Sequence, residues 1–249
     1  MRLIQLNEFD VGRESILFMN GGGQIPLSKH SKLVQYFNHY NYNAFAVELP
    51  GHGKSRFHEE MTQDKFLSHF KNEFTRIIKE KKIKTRALIG FSLGGLFALK
   101  AIEMRILDVD YVIGYGWGFG IGKAEKDTFN YYTSEKFFHD MNWGTIMKKN
   151  HGKGWYNLLL SMDNLMNVES PIFSDLSKMG SDTQILIILG ENEELFTPNF
   201  TKEMVQKNQS HNIHLRVVPN TSHFEYTSKS WEKFQLVLKE FIELHQWFV

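Results

Sequence analysis

The sequence predicts an α/β domain: a mostly parallel central sheet flanked by helices, with a helical lid inserted in the middle of the chain. Three observations predict it. Apolar strand-like runs alternate with helical stripes, a serine stands between glycines where one such run meets a helix, and the alternation stops once, for a long aromatic segment.

The strand runs fall at residues 15–19, 43–49, 86–91, 110–115, 184–189 and 213–218. Several are apolar without alternation, as in strands buried on both faces. Helical patterns occupy 32–40, 63–81, 92–105 and 229–247. In the second, Phe66, Phe70, Phe74, Ile77 and Ile78 share one stripe; in the last, Trp231, Phe234, Leu238, Phe241 and Ile242 do. These stripes are core faces, and strands separated by helices imply parallel pairing.

After residue 116 a different segment begins. It holds Trp117, Phe119, Phe129, Tyr131, Tyr132, Phe137, Phe138, Trp143, Trp155 and Tyr156, with Met141, Met147, Met162 and Met166. It is too long for an ordinary connection and too apolar for a disordered linker. It reads as a mainly helical lid over the carboxyl ends of the strands, additional core being the competing reading, because Met and aromatic side chains serve both. The organisation expected is residues 1–116 and 181–249 as core, with 117–180 inserted. At its entry, residues 114–122 alternate glycine with large apolar residues. The dinucleotide pattern G-x-G-x-x-G fails there, since counting from Gly116 puts Ile121 where glycine is needed. A flexible entry is expected instead, relief of crowding by the glycines being the competing reading, with Tyr115, Trp117 and Phe119, and Gly21 of the earlier glycine run, available to line a substrate pocket.

Composition bounds the partners. A length of 249 residues suits one large domain with an insertion. Lys+Arg 29 against Asp+Glu 28 leaves a charge of +1, without the basic footprint of a nucleic-acid binder. With no cysteine there is no disulfide framework, thiolate nucleophile or sulfur-based zinc site. The first residues lack a basic segment followed by a long apolar run, and no apolar stretch approaches the ~18 residues of a membrane span. A cytoplasmic protein without stable membrane insertion is expected. Neither a metal nor a cofactor is implied: H-E-x-x-H and Walker patterns are missing, and His211 with His214 reads as an exposed turn.

Chemistry concentrates at Gly90-Phe91-Ser92-Leu93-Gly94. A serine on so tight a strand-to-helix turn sits in strained backbone, and side chains in place of the glycines would collide with the neighbouring strand and helix. A serine hydroxyl is barely ionised at neutral pH, so it needs a base and a group that orients the base. His223 lies between the 213–218 strand and the final helix. Acids follow the preceding strand, in Gly190-Glu191-Asn192-Glu193-Glu194. Acyl transfer also needs donors for the developing oxyanion, each supplying roughly 3 kcal/mol. Leu93 offers a backbone N–H at the helix start. Asn20-Gly21-Gly22-Gly23, after the 15–19 strand, offers another, Gly22 first and Gly21 next, because glycine lets backbone approach a ligand closely.

Over nearly its full length the chain resembles the α/β-hydrolase superfamily. Besides the serine motif, Leu49-Pro50-Gly51-His52-Gly53-Lys54-Ser55 is similar to the family turn D-x-P-G-H-G-x-S, with Glu48 where aspartate is common. The order Ser92, Glu193, His223 also matches nucleophile, acid, histidine. The resemblance implies Ser92 as nucleophile, His223 as base, Glu193 in the acid's slot with Glu191 and Glu194 as rivals, Gly22 and Leu93 as oxyanion donors, and His52 as a turn residue. Two departures stand out: Asn20 replaces a common histidine, and the acid is glutamate. The implied activity is hydrolysis of an ester or thioester with an apolar acyl portion, as in carboxylesterases, monoacylglycerol lipases and lysophospholipases. Residues 46–51 are also similar to a turn of type II thioesterases. A C–C hydrolase and a non-catalytic small-ligand receptor are further alternatives of the same fold.

Overall fold

In the computed structural model, which describes residues 1–57, 59–121, 126–134, 136–137, 143–166, 173–179, 182–208 and 211–247, the strands form one sheet. They are β1 (Arg2–Gln5), β2 (Ser15–Met19), β3 (Asn43–Glu48), β4 (Thr85–Phe91), β5 (Tyr111–Tyr115), β6 (Gln184–Gly190) and β7 (Ile213–Val218). Their order is β1-β3-β2-β4-β5-β6-β7, with only β1 antiparallel to its neighbour. Strand β1 is an addition to the predicted set. Its four residues are largely half-exposed at the sheet edge, which leaves too short a pattern to read.

The apolar strands are buried on both sides because each face carries its own helices. On one, Leu17, Leu88, Val112 and Ile187 meet Phe66, Phe70 and Phe74 of α2 (Gln63–Lys81) and Leu96 and Phe97 of α3 (Leu93–Glu103). On the other, Ile16, Phe18, Ile89, Ile113 and Ile188 meet Val34 and Phe37 of α1 (Lys32–Asn38) and Phe234, Leu238 and Phe241 of the C-terminal helix Trp231–Leu244. Alternate residues of one strand thus feed two cores, as the period of 2 requires.

Between β5 and β6 the described residues form α4 (Lys126–Thr133), α5 (Trp143–His151) and α6 (Trp155–Leu165). Phe138, Met141 and Gly122, with the side chains of Phe129, Tyr132 and Trp143, lie outside the described residues. Leu158, Met162 and Leu165 of α6 join the core that holds α2. The polar groups of α6 tie it there too: Ser161 Oγ accepts from Met61 N–H at 2.7 Å, and Gln63 Nε2 donates to Leu165 O at 3.2 Å. Helix α7 (Pro198–Asn208) is an addition to the predicted helices, and α8 is the terminal Trp231–Leu244.

Two expectations change here. Residues 114–121 of the glycine-alternating run are packed rather than a flexible entry: a Cβ on Gly116 would stand 2.8 Å from the Phe91 ring, and one on Gly118 would stand 2.6 Å from Thr201 Oγ1. Glycine relieves crowding at both. His214 lies half-buried in β7, its Nε2 3.1 Å from Gln184 Oε1, and only His211 is in the turn. Among the described residues, no helix is long and apolar enough to cross a membrane.

Candidate active site

The sheet order places the site. After β2 the chain moves to β3 on one side and then to β4 on the other, so a crevice opens at the carboxyl ends of β2 and β4. Met19 pairs with Gly90, which brings the loop after β2 beside the turn after β4. Ser92 occupies that turn with φ 49° and ψ −120°, and α3 begins at the next residue rather than at Ser92 itself. A non-glycine residue held there stores about 1–3 kcal/mol of backbone strain. The flanking glycines are steric necessities. A Cβ on Gly90 would lie 2.2 Å from Gly94 O, and one on Gly94 would lie 2.2 Å from Met19 O.

His223 stands beside the serine, its Nε2 3.1 Å from Ser92 Oγ. Its Nδ1 lies 2.5 Å from Glu193 Oε1. Both partners are enclosed, His223 at 2% and Glu193 at 5% exposure. Burial matters, since a charge-assisted hydrogen bond strengthens where water does not compete. The three glutamates after β6 divide their work. Glu193 meets the imidazole, Glu194 Oε2 accepts the backbone N–H of His223 at 3.0 Å, and Glu191 Oε2 accepts that of Asn220 at 2.8 Å. Asn192 N–H donates to Thr221 O at 2.9 Å, joining the acid loop to the histidine loop. Tyr226, unmarked in the sequence reading, donates to Glu193 Oε2 at 2.7 Å.

The glycine loop is held backbone group by backbone group. Gly21 N–H donates to Gln24 Oε1 at 3.3 Å, and Gly21 O accepts from Gln24 N–H at 3.2 Å. Gly23 N–H donates to His52 Nε2 at 3.0 Å, while Gly23 O lies 2.9 Å from His151 Nε2. Asn20, in place of the expected histidine, donates its side-chain amide to Ile25 O and closes the loop's base. Gly22 faces Leu93: a Cβ there would meet Leu93 Cδ2 at 3.4 Å and Met162 Sδ at 2.9 Å. Leu93, as the first residue of α3, has an N–H with no carbonyl partner inside its own helix.

The residues expected to line a pocket are packed into the protein. Tyr115 is buried among Phe91, Tyr226 and Phe234, and Ser92 N–H donates to its carbonyl at 2.9 Å. Burial holds the Tyr115 phenol well above its ordinary pKa. Trp117 lies against Phe196 and Phe173, and Phe119 joins the same core. Among the described residues, no three His, Asp or Glu side chains are grouped to hold a metal ion.

Three solved structures share this architecture. A 2-hydroxy-6-oxo-6-phenylhexa-2,4-dienoate hydrolase from Rhodococcus sp. strain RHA1 matches with TM-score 0.70 and 15% identity, over 93% of this chain and 91% of that one. A carboxylesterase from the thaumarchaeon Nitrososphaera gargenis matches with TM-score 0.66 and 13% identity, over 98% and 95%. The monoacylglycerol lipase of Paleococcus ferrophilus matches with TM-score 0.59 and 14% identity, over 98% of each. This chain has the α/β-hydrolase fold. The family model described as serine aminopeptidase, S33, matches residues 12–134 of it, a span that includes the glycine loop and Ser92 and ends before Glu193 and His223. No curated protein sequence matches. Within the α/β-hydrolase fold the loops after β2, β4, β6 and β7 converge at one end of the sheet, and these carry Gly22, Ser92, Glu193 and His223.

Proposed function

We propose that the chain is a serine hydrolase that cleaves a carboxylic ester, or a thioester, with an apolar acyl portion. The observation that carries this reading is His223, whose two ring nitrogens lie 3.1 Å from Ser92 Oγ and 2.5 Å from Glu193 Oε1. Nδ1–H donates to the carboxylate, so Nε2 is the free base that accepts the serine proton.

Ser92 Oγ attacks the carbonyl carbon as its proton passes to His223 Nε2. Glu193 stabilises the imidazolium, and the N–H groups of Gly22 and Leu93 receive the oxyanion. Collapse expels the alcohol or thiol, which takes the proton from His223 and leaves Ser92 acylated. Water, deprotonated by His223, then attacks the acyl carbon; the acid departs and Ser92 regains its proton.

The helices of residues 117–180 serve in this reading as a lid, and Met162 beside Gly22 supports an apolar acyl site. The test is fluorophosphonate labelling together with turnover of p-nitrophenyl esters of increasing acyl length. Wild type is labelled and active, and Ser92→Ala is neither. An unlabelled wild type, or turnover that survives Ser92→Ala, overturns the proposal.

A further inference from the structure

Helix α5 ends on His151, whose ring is fully buried although Lys148, Lys149 and Asn150 precede it. The ring reaches the glycine loop beside His52. Gly53 N–H donates to His151 Nδ1 at 2.8 Å, so Nδ1 is an acceptor and the proton is on Nε2. Nε2–H therefore donates to Gly23 O, 2.9 Å away. His52 is wired the other way. Its Nδ1–H donates to Pro50 O at 2.9 Å, and its Nε2 accepts Gly23 N–H at 3.0 Å. The two rings pack edge to face with centroids 5.3 Å apart. One glycine is thus gripped at both its N–H and its C=O by two neutral imidazoles, each anchored on the turn of residues 50–53.

This grip bears on Gly22. Three consecutive glycines have almost no steric preference, and a peptide flip in such a loop would turn a donor into an acceptor. Gly21 O accepts from Gln24 N–H, and in a planar trans peptide the Gly22 N–H points opposite to that carbonyl. The histidines fix the next two peptides, since Gly23 N–H belongs to the 22–23 unit and Gly23 O to the 23–24 unit. With the peptides on both sides of it held, the 21–22 peptide, and with it the Gly22 N–H, is kept in one orientation.

We infer that His151 is a positioning residue: through Gly23 it holds the Gly22 N–H in the orientation that receives the oxyanion, and it makes that orientation depend on the seating of α5. Met147, on the same helix, lies where a Cβ on Gly23 would stand, 2.5 Å from its sulfur, so helix and loop are in direct contact. The inference rests on the serine hydrolase reading above, because it assigns a purpose to Gly22 within that mechanism. Burial lowers the pKa of both imidazoles, consistent with the neutral tautomers the geometry requires.

The experiment compares wild type, His151→Ala, His151→Gln and His151→Asn. Each is measured for kcat and KM on p-nitrophenyl butyrate, for inhibition by an aryl trifluoromethyl ketone, and for hydrogen exchange at the Gly22 and Gly23 amides. Deleting one oxyanion donor slows reaction by about 10²–10³-fold, so a donor released from its orientation is expected to lose about 10- to 100-fold in kcat. KM stays within about threefold, ketone affinity falls with kcat/KM, and the Gly23 amide exchanges faster. His151→Gln recovers part of kcat, because its amide nitrogen can still reach and donate to Gly23 O; His151→Asn, whose shorter amide can accept from Gly53 N–H but does not reach Gly23 O, does not. Should His151→Ala fold poorly, the Gln and Asn pair carries the comparison alone. A loss confined to KM, equal kcat in the Gln and Asn variants, or unchanged amide exchange overturns the inference. An unlabelled, inactive wild type overturns the hydrolase reading instead, and the exchange data still report whether His151 holds the loop.

Discussion

Tyr226 donates its phenolic hydrogen to Glu193 Oε2 at 2.7 Å and accepts the backbone N–H of Gly190 at the same 2.7 Å. The acid that meets His223 is thereby fixed at both oxygens, Oε1 by the imidazole and Oε2 by the phenol. Burial, and then the charge of Glu193, hold the Tyr226 pKa far above its ordinary value. At neutral pH it is therefore a neutral donor.

Tyr226→Phe is expected to weaken the site twice. It removes a hydrogen bond to a carboxylate and leaves Gly190 N–H unpartnered in the interior, a loss of about 1–3 kcal/mol in stability. The carboxylate is then held at Oε1 alone, and kcat is expected to fall by up to about tenfold, the equivalent of about 1.4 kcal/mol. Urea unfolding and ester turnover measure the two effects separately. A variant with wild-type midpoint and wild-type kcat contradicts this account.

The neighbouring glutamates separate by what they touch. Glu193→Gln places an amide opposite His223 Nδ1, where the –NH2 group favours the wrong tautomer, and a loss of about 10⁴ in kcat is expected by analogy with the orienting acid of serine proteases. Glu194→Gln keeps an oxygen that accepts His223 N–H, so its loss is expected to stay below about tenfold. Steady-state kinetics on one ester decide the matter, and similar losses in both variants contradict the assignment.

That distinction was out of reach in the sequence. Glu191, Glu193 and Glu194 are one residue type within four positions, and only the path of the loop after β6 aims one of them at the ring. Ser92 was legible because its signal is local, a strand, two glycines and a helix in direct succession. His223 was legible because the last strand and helix bracket it. Tyr226 hides in the irregular stretch Thr221-Ser222-His223-Phe224-Glu225-Tyr226-Thr227-Ser228, which has no period to set it apart from Phe224 beside it. His151 sits in Lys148-Lys149-Asn150-His151-Gly152-Lys153, which reads as a solvated helix end. Helix α7 did carry a signal, Pro198 at its first position, which fits a helix start because proline has no N–H to lose there.

Gly94→Ala tests the steric account of the serine turn. The added methyl would stand 2.2 Å from Met19 O and 2.7 Å from Asn20 O, both backbone atoms of β2 and its loop. Backbone cannot rotate away as a side chain would, so strand and helix must separate, at about 3 kcal/mol or more. Thermal or urea unfolding reads the loss, and a variant of wild-type stability contradicts the packing described.

Acid is expected to weaken the fold through His52. Burial, with the nearby His151, lowers its pKa from 6.5 to about 3, and the side chain is 2% exposed, so solvent screening removes little of the effect. Between those two values the unfolded chain binds a proton that the folded chain does not, so stability rises with pH across the window. The contribution is fully present above about pH 7 and is lost as pH falls; by pH 5 the loss is about 2 kcal/mol. Urea midpoints at pH 8, 7, 6 and 5 should therefore decline more steeply in wild type than in His52→Gln, which has no proton to gain in that range. Parallel declines in the two proteins would show that His52 titrates normally in the fold, and that Gly23 N–H is not held by an obligatorily neutral ring.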